Sequence, residues 1–373
     1  MRITFVLPPL TLSGGIRVIA IYAERLQRRG HRVVVVTPAM PKAPLRRRVR
    51  AWILGKTQGP PQVTFFDGTG VDLRHLLHPP PITDRDVPEA DVVIATWFAT
   101  APAVLGLPLT KGKKVYFLQG YEGVIPFVSA EEVDATWRLP IRKIVVAEWL
   151  RDLARDRFGD DTAVCVPNSV DPKLFFAPPR GKQAQPTIGF IFAHAPLKGT
   201  DIAIRAAVEA KKKLPDLRVI AFGTELPSSP LVLPAFVEFV HRPPQPKIRE
   251  LYAQCDVFLQ PSRTDGFGLP ILEAMACRTP VVASPAGAAP ALLRQGGGKL
   301  VPAEDPVAMA AAAAELCALS DADWRTRSDE AYRIATSYSW DDATVAFEAA
   351  LQRFFDEPRS SRQSPTADHK ASA

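Results

Sequence analysis

Cysteine is scarce in this chain: Cys165, Cys255, Cys277 and Cys317 are the four present in 373 residues. They lie far apart with no CxxC pair, which argues against a disulfide framework and a structural zinc site and points to a reducing compartment. Long hydrophobic runs are missing too. The opening MRITFVLPPL is broken by Pro8 and Pro9 before it reaches the length of a signal-peptide core. The longest apolar helical stretch, Val307 to Leu319, is alanine-rich, contains Glu315 and is too short to cross a bilayer. A soluble, cytoplasmic protein, peripheral to a membrane at most, is the expectation. No GxGxxG follows the first apolar run, so the dinucleotide fingerprint is absent. Neither aromatic stacking platforms nor a reader helix stand out, and nucleic acid is not expected as a partner.

What is present is core-forming sequence and an uneven charge. The length suffices for two domains with substantial cores. The formal charge of +7 lies wholly in the N-terminal part: residues 1–175 hold 24 Lys and Arg against 17 Asp and Glu, and residues 176–373 hold 22 against 22. Arg46, Arg47, Arg48 and Arg50, followed by Ala-Trp-Ile-Leu, join a basic cluster to an apolar edge. Such a segment suits anionic headgroups on the inner face of a membrane, and equally a solvated loop with no partner.

Along the chain, short apolar runs alternate with amphipathic stretches. Arg2 to Leu7 reads as a buried strand and Pro8 to Gly15 as the loop at its carboxyl end. Ser13-Gly14-Gly15 precedes a helix over 16–29 that Gly30 ends, and HRVVVVT (31–37) completes a βαβ unit. Residues 40–86, rich in Pro and Arg, are expected to form a long loop with one helix around 46–54. Asp84-Arg85-Asp86 has the DxD form of a metal site but sits in a proline-flanked loop, so no metal is expected there. Strands are expected over 91–95, 114–118, 143–147 and 163–166, with a helix over 148–158. The strand 114–118 delivers Gln119, Gly120, Tyr121 and Glu122 to the same edge as the glycine loop. Glu122 admits two readings, acceptor of a substrate proton and exposed loop acid, the second being the plainer. The composition of 177–186, APPRGKQAQP, is that of a solvated linker, dividing a domain of 1–178 from one of 187–336.

The second half opens with a strand over 187–192 that leads to His194, Lys198 and Gly199 before a helix over 202–212. Strands at 218–223 and 236–240 and a helix over 247–254 follow. The most informative stretch is DVFLQPSRTDGFGLPILEAMACRTPVVAS, 256–284: a buried strand, a polar loop, a helix over 269–277 and another strand. Asp265 ends the loop and Glu273 lies eight residues on, so both can face one ligand. Gly266 and Gly268 bring bare N–H groups to the helix start, which favours an anion. Helices over 306–319 and 323–336 come next. Ser339 then caps a last helix to about 355, with an apolar face of Val345, Phe347, Leu351, Phe354 and Phe355. From 357 the composition is that of a disordered tail.

Pro-Ser, an acid, Phe-Gly-Leu-Pro, Glu-Ala-Met-Ala and Pro-Val-Val at this spacing resemble the signature of the retaining GT-B glycosyltransferases of family four (glycosyl transferases group 1). The Gly14-Gly15 loop, Arg-Gly-His-Arg-Val (29–33), Val-Pro-Asn-Ser-Val-Asp (166–171) and Lys198-Gly199 are similar to further motifs of that family. The resemblance implies two doubly wound, Rossmann-like α/β domains facing across a cleft, with a helix over 337–356 crossing back to complete the first. It implies transfer of a hexosyl or deoxyhexosyl group from a nucleotide sugar to a glycan or lipid-linked acceptor, with retention and without a metal or cofactor, in polysaccharide or cell-envelope assembly.

Carried over residue by residue, Lys198 neutralises the leaving diphosphate, Asp265 orients the sugar through its hydroxyls and Glu273 accepts hydrogen bonds from the ribose. Gly14, Gly15, His194, Gly199, Gly266, Phe267, Gly268 and Leu269 line the donor. Gln119, Tyr121 and Glu122 face the sugar or acceptor. The chain departs from the family in Asp265 for Glu, Gln119 for a frequent His, Ser169 for Gly, and in lacking an Arg upstream of Lys198, where His194 is the nearest polar substitute. These departures keep two alternatives open: a nucleotide-sugar epimerase of the same fold, and a non-catalytic sugar-nucleotide-binding protein.

Overall fold

The computed structural model describes residues 1–40 and 64–356. The cluster Arg46, Arg47, Arg48 and Arg50, the helix expected around it and the tail 357–373 lie outside the described residues. Runs such as RVVVVT and VVIA are apolar on both faces, the pattern of strands covered from both sides in a parallel sheet. They form one. Strands β1 (Arg2–Val6), β2 (Arg32–Thr37), β3 (Asp72–His75), β4 (Val92–Ala95), β5 (Lys113–Leu118), β6 (Arg142–Val145) and β7 (Val164–Cys165) lie in the order β3-β2-β1-β4-β5-β6-β7. Every pairing is parallel, with Val6 level with Val36 on one side and Ala95 on the other. Strands β8 (Thr187–Ile191), β9 (Arg218–Gly223), β10 (Val237–His241), β11 (Val257–Gln260), β12 (Val281–Ala283) and β13 (Gly298–Leu300) form a second parallel sheet, in the order β10-β9-β8-β11-β12-β13.

Strand β3 corrects the expectation that 40–86, apart from one helix around 46–54, is loop. Its sequence, DLRH, carries no apolar alternation and stays half-exposed. It is a strand because the open edge of β2 offers unpaired backbone groups, which Asp72 to His75 satisfy. That is a tertiary cause, invisible in the local pattern.

The helix Gly14–Arg28 starts where Ser13 Oγ accepts from Ile16 N, and it buries Ile16, Ile19, Tyr22, Ala23 and Leu26. The last helix, Trp340–Asp356, docks on it. Phe347 stacks on Tyr22 at 4.4 Å between centroids and meets Phe117 edge-on at 5.1 Å, while Trp340 meets Tyr22 at 5.6 Å. Arg25 pairs with Asp341, and Arg29 with Glu348 at 2.5 Å. Ser339 caps this helix as expected, its Oγ accepting from Asp342 N at 3.1 Å. The docking face differs from the expected stripe, however. Phe347, Leu351 and Phe354 are buried, but Val345 and Phe355 are exposed, and Trp340, Ala343 and Ala350 take their place. The helical pitch puts residues 340, 343, 347, 350, 351 and 354 on one face, from which 345 and 355 are rotated away.

The segment 177–186 is likewise less solvated than its composition suggested. Arg180 donates to Cys255 O, Arg278 O and Thr279 Oγ1, and stacks over Trp324. The buried Asp256 accepts from Gln183 N and Thr187 N, each at 2.8 Å. The connection is therefore strapped to the second sheet, because its polar groups complete the end of β11. Apolar packing runs on from the first sheet into the helix Leu269–Ala276, while Thr200–Lys213 and Pro306–Ala318 close the other face of the second sheet.

Truncating the aromatic at the centre of the returning helix, Phe347→Ala, should cost about 3–5 kcal/mol of stability. Urea unfolding followed by tryptophan fluorescence measures it, and a loss below about 1 kcal/mol would contradict the packing described.

Candidate functional site

In each sheet the loops at the carboxyl ends of the strands hold the polar residues, and the two sets of loops face one another across a cleft of about 600 Å³. From the first sheet come the loop after β1 with Pro8, Ser13 and Gly15, Thr96 and Trp97 after β4, and Gln119 to Glu122 after β5. From the second come Leu197 and Lys198 after β8, and Thr264, Asp265 and Gly266 after β11.

Lys198 ends a short 3-10 turn, Pro196–Lys198, and its Nζ donates to Asp265 Oδ2 at 2.7 Å. The turn is held rigidly from behind. Arg263 donates from its backbone to Leu197 O and from its side chain to Pro196 O. The same guanidinium forks onto Asp201 at 2.8 Å twice and reaches Glu304 at 2.6 Å. Hydrogen bonding by Arg263 holds the Asp201 carboxyl below the ordinary carboxylate range, and its acidic partners push Arg263 above its own. Gly199 follows with φ +66°, where a Cβ would lie 2.1 Å from Pro261 O, so only glycine lets Lys198 turn towards Asp265.

Glu273 lies one turn into the helix Leu269–Ala276 and is 6% exposed. Arg17, from the first turn of Gly14–Arg28, donates to its Oε1 at 2.6 Å, and Tyr252 donates to its Oε2 at 3.0 Å. Burial, and then the Glu273 carboxylate, hold the Tyr252 phenol well above its ordinary pKa, so it stays a donor. The carboxylate is buried, while Arg17 keeps 26% of its side chain accessible. The ion pair spans the two domains. So does Trp149 Nε1, which donates to Gly266 O at 2.8 Å, and a Cβ on Gly266 would sit 1.7 Å from Gln119 O. Gly266 thus owes its glycine to a close approach between domains, in addition to any bare N–H it offers.

Lys198, Asp265, Gly266, Gly15, Gln119, Tyr121 and Glu122 are brought together around the cleft. Gln119 Nε2 donates to Gly15 O at 3.2 Å, and Gly14 faces the Leu269 side chain. Gly268 caps the helix with φ +89° and no side-chain cap. Glu273, Gly14, Gly199, Gly268 and Leu269 lie behind the cleft lining rather than in it, and two further expected members turn elsewhere. His194 turns to the loop 225–228, with its Nε2 at 3.0 Å from Leu226 O, and so does not stand in for the missing upstream Arg. Phe267 is buried in the wall of a separate cavity of about 400 Å³, beside Asn168 and Leu272. Tyr121 presents its ring to the cleft while its hydroxyl donates to Asp134 at 2.7 Å. Burial and then this bond raise its pKa. Asp86 of the DxD-like stretch is engaged by Thr83 and His78.

Glu122 is not the exposed acid of the plainer reading. It is 6% exposed, Oε2 has no hydrogen-bond partner among the described residues, and burial pushes its pKa up to about 7. The loop after β5 folds back as a 3-10 turn, Glu122–Val124, and carries the side chain inward.

Sequence reasoning missed Arg17, Tyr252, Trp149 and Arg263. One signal was available for Arg17: a cation in the first turn of a helix opposes the macrodipole and calls for a compensating acid, and this helix has no acid of its own there. Tyr252 and Arg263 read locally as ordinary helix and loop residues.

The described residues have the GT-B fold. The chain superposes on sucrose-phosphate synthase from Thermosynechococcus elongatus with a TM-score of 0.71 at 17% identity, covering 95% of this chain and 99% of that one. Against Anabaena Alr3699/HepE, solved in complex with UDP and glucose, the TM-score is 0.69 at 17% identity, covering 95% and 100%. Residues 185–318 match the family model Glycosyl transferases group 1, so the second domain is a glycosyltransferase domain of that group. D-inositol 3-phosphate glycosyltransferase of Mycobacterium tuberculosis is 33% identical over 190 residues, which are 47% of this chain and 39% of that protein. The match thus spans well under half the length of that relative.

The buried carboxyl of Glu122 sets a pH dependence. Above pH 4.5 the unfolded chain ionises it, whereas the folded chain keeps it neutral up to about 7, so stability falls across that window. Glu122→Gln should remove this loss, gaining about 3 kcal/mol on wild type between pH 4.5 and pH 8. Equal pH slopes for the two proteins in thermal melts would count against it.

Proposed function

We propose that the protein transfers a sugar from a nucleotide-sugar donor to a glycan or lipid-linked acceptor, with retention and without a metal. The observation that carries this reading is the convergence of Lys198, Asp265 and Gly266 of one domain with Gly15 and Gln119 of the other around one cleft. Asp265 orients the sugar through its hydroxyls. Glu273 accepts from the ribose, a charge-assisted bond that a neutral side chain would not match. Lys198 meets the charge that develops on the departing diphosphate, and a single well-placed cation in a cleft is worth roughly 10²–10³ in rate. Attack from the leaving-group face lets the diphosphate oxygen take the acceptor proton, so no carboxylate serves as a covalent nucleophile. The acceptor enters from the first-domain side, a reading supported by Gln119, Tyr121 and Glu122 lining the cleft beside Trp97 and Ile125. That HepE is solved with UDP-glucose supports a nucleotide-sugar donor, and WaaG, a fold relative with a TM-score of 0.62, is described as acting in lipopolysaccharide biosynthesis. A cytoplasmic site, peripheral to the membrane and serving envelope polysaccharide assembly, fits this chemistry. Among the described residues no helix is long and apolar enough to cross a membrane.

Glu122 favours a second reading, epimerisation of a nucleotide sugar, since a buried carboxyl that titrates near 7 is suited to move a proton. The two differ in what is released. A transferase frees nucleoside diphosphate only with an acceptor present, whereas an epimerase converts the donor alone.

With a panel of nucleotide sugars and of free and lipid-linked glycans, diphosphate release should depend on the acceptor. Lys198→Ala and Glu273→Ala should each lower turnover at least about tenfold with the fold retained. Wild-type rates in both variants would refute the assignment of the site.

A further inference from the structure

We propose that Arg17 is a donor-binding cation, whose guanidinium leaves Glu273 for the diphosphate of the incoming nucleotide sugar as the ribose takes its place on the carboxylate. This rests on the reading above, and it follows from a symmetry between the two acids, one lining the cleft and one buried behind it. Each acid assigned to the donor already carries a cation: Lys198 on Asp265 at 2.7 Å, and Arg17 on Glu273 at 2.6 Å. If Asp265 holds the sugar and Glu273 the ribose, the diphosphate that joins them must run between these two pairs. A nucleotide sugar brings hydroxyls for both acids and a polyanion for both cations, so each pair is exchanged and no buried charge is left alone.

Electrostatics argues for a second cation. Among the described residues that line the cleft, Lys198 is the one Lys or Arg, and a diphosphate carries more charge than one ammonium offsets. Arg263 is committed to Asp201 and Glu304, and His194 faces away. Arg17 starts two residues beyond the cleft-lining Gly15 and is partly exposed, with 26% of its side chain accessible. A planar guanidinium also suits phosphate oxygens bidentately, which the lysine does not. Because Arg17 belongs to the first domain, donor binding would be read by both domains at once.

Isothermal titration calorimetry of the full chain, with inorganic pyrophosphate as the probe, tests this without knowledge of the base or sugar. Arg17→Ala should weaken binding at least about tenfold, and Arg17→Lys by less. Glu273→Gln, which frees the guanidinium, should tighten it about threefold or more. Thermal melts check folding, and Arg17→Gln carries the test should the alanine variant not fold. If Lys198→Ala weakens pyrophosphate binding and the Arg17 variants do not, Arg17 is a domain latch and the inference falls while the transferase reading stands. If pyrophosphate binds no variant and not the wild type, both fall together.

Discussion

The site exists because two backbones touch. Gly266 has no side chain, so the loop after β11 can press against the carbonyl of Gln119 from the other domain, where a Cβ would overlap the oxygen at 1.7 Å. Trp149 closes the contact by donating to Gly266 O. Parallel strands force the rest: all the loops at the carboxyl ends of each sheet lie on one edge, so bringing these two edges together brings Asp265, Lys198, Gln119 and Gly15 together as well. The apolar packing that continues from the first sheet into the helix Leu269–Ala276 holds the approach, and the returning helix Trp340–Asp356 ties the end of the chain back to the first domain.

Within that frame the charges fall into two kinds. Arg263 is fixed by Asp201, Glu304 and two backbone carbonyls, an arrangement that leaves it no donor to spare for a ligand and makes it a buttress for the Lys198 turn. Lys198 is different. Its side chain is 46% exposed and its ammonium pairs with Asp265, so exchanging that partner for a phosphate would cost little desolvation. Glu273 stands between these cases: it is buried with both oxygens engaged, yet one of its two partners reaches it from across the domain boundary. Arg263 thus fixes the turn from behind, while Lys198 presents its ammonium at the cleft.

Much of this was legible in the residues. The glycine loop, the strands at 114–118 and 187–192 and the helix at 148–158 all rest on local signals, namely apolar runs, turn residues and spacing, and the structure places them accordingly; of the acid pair, Asp265 lines the cleft while Glu273 is buried behind it. What was not legible depends on contacts far along the chain. Strand β3 exists because of the edge of β2, the 177–186 segment is ordered by Asp256 and Thr279, and the inward turn of Glu122 is set by how its loop folds back. Arg17 and Glu273 are 256 residues apart in sequence, and no local pattern could join them. His194 was proposed from proximity in sequence to Lys198. The chain between them turns, and the imidazole leaves on the other side.

The positions where this chain departs from the family it resembles bear on the proposed transfer. Drift after loss of function would leave polar groups unmatched, since nothing then selects for their partners, and a buried unmatched group is costly. Three of the four are instead matched, the exception being the Arg missing upstream of Lys198, for which His194 does not stand in. Asp265 meets Lys198, Gln119 donates to Gly15 O in the glycine loop, and Ser169 Oγ donates to Tyr338 O at 2.6 Å. Two of the three, Asp265 and Gln119, line the same cleft. A shorter acid on one wall and an amide on the other alter what can be held between them while keeping the wall itself satisfied. On the proposed reading, that pattern fits a changed donor or acceptor.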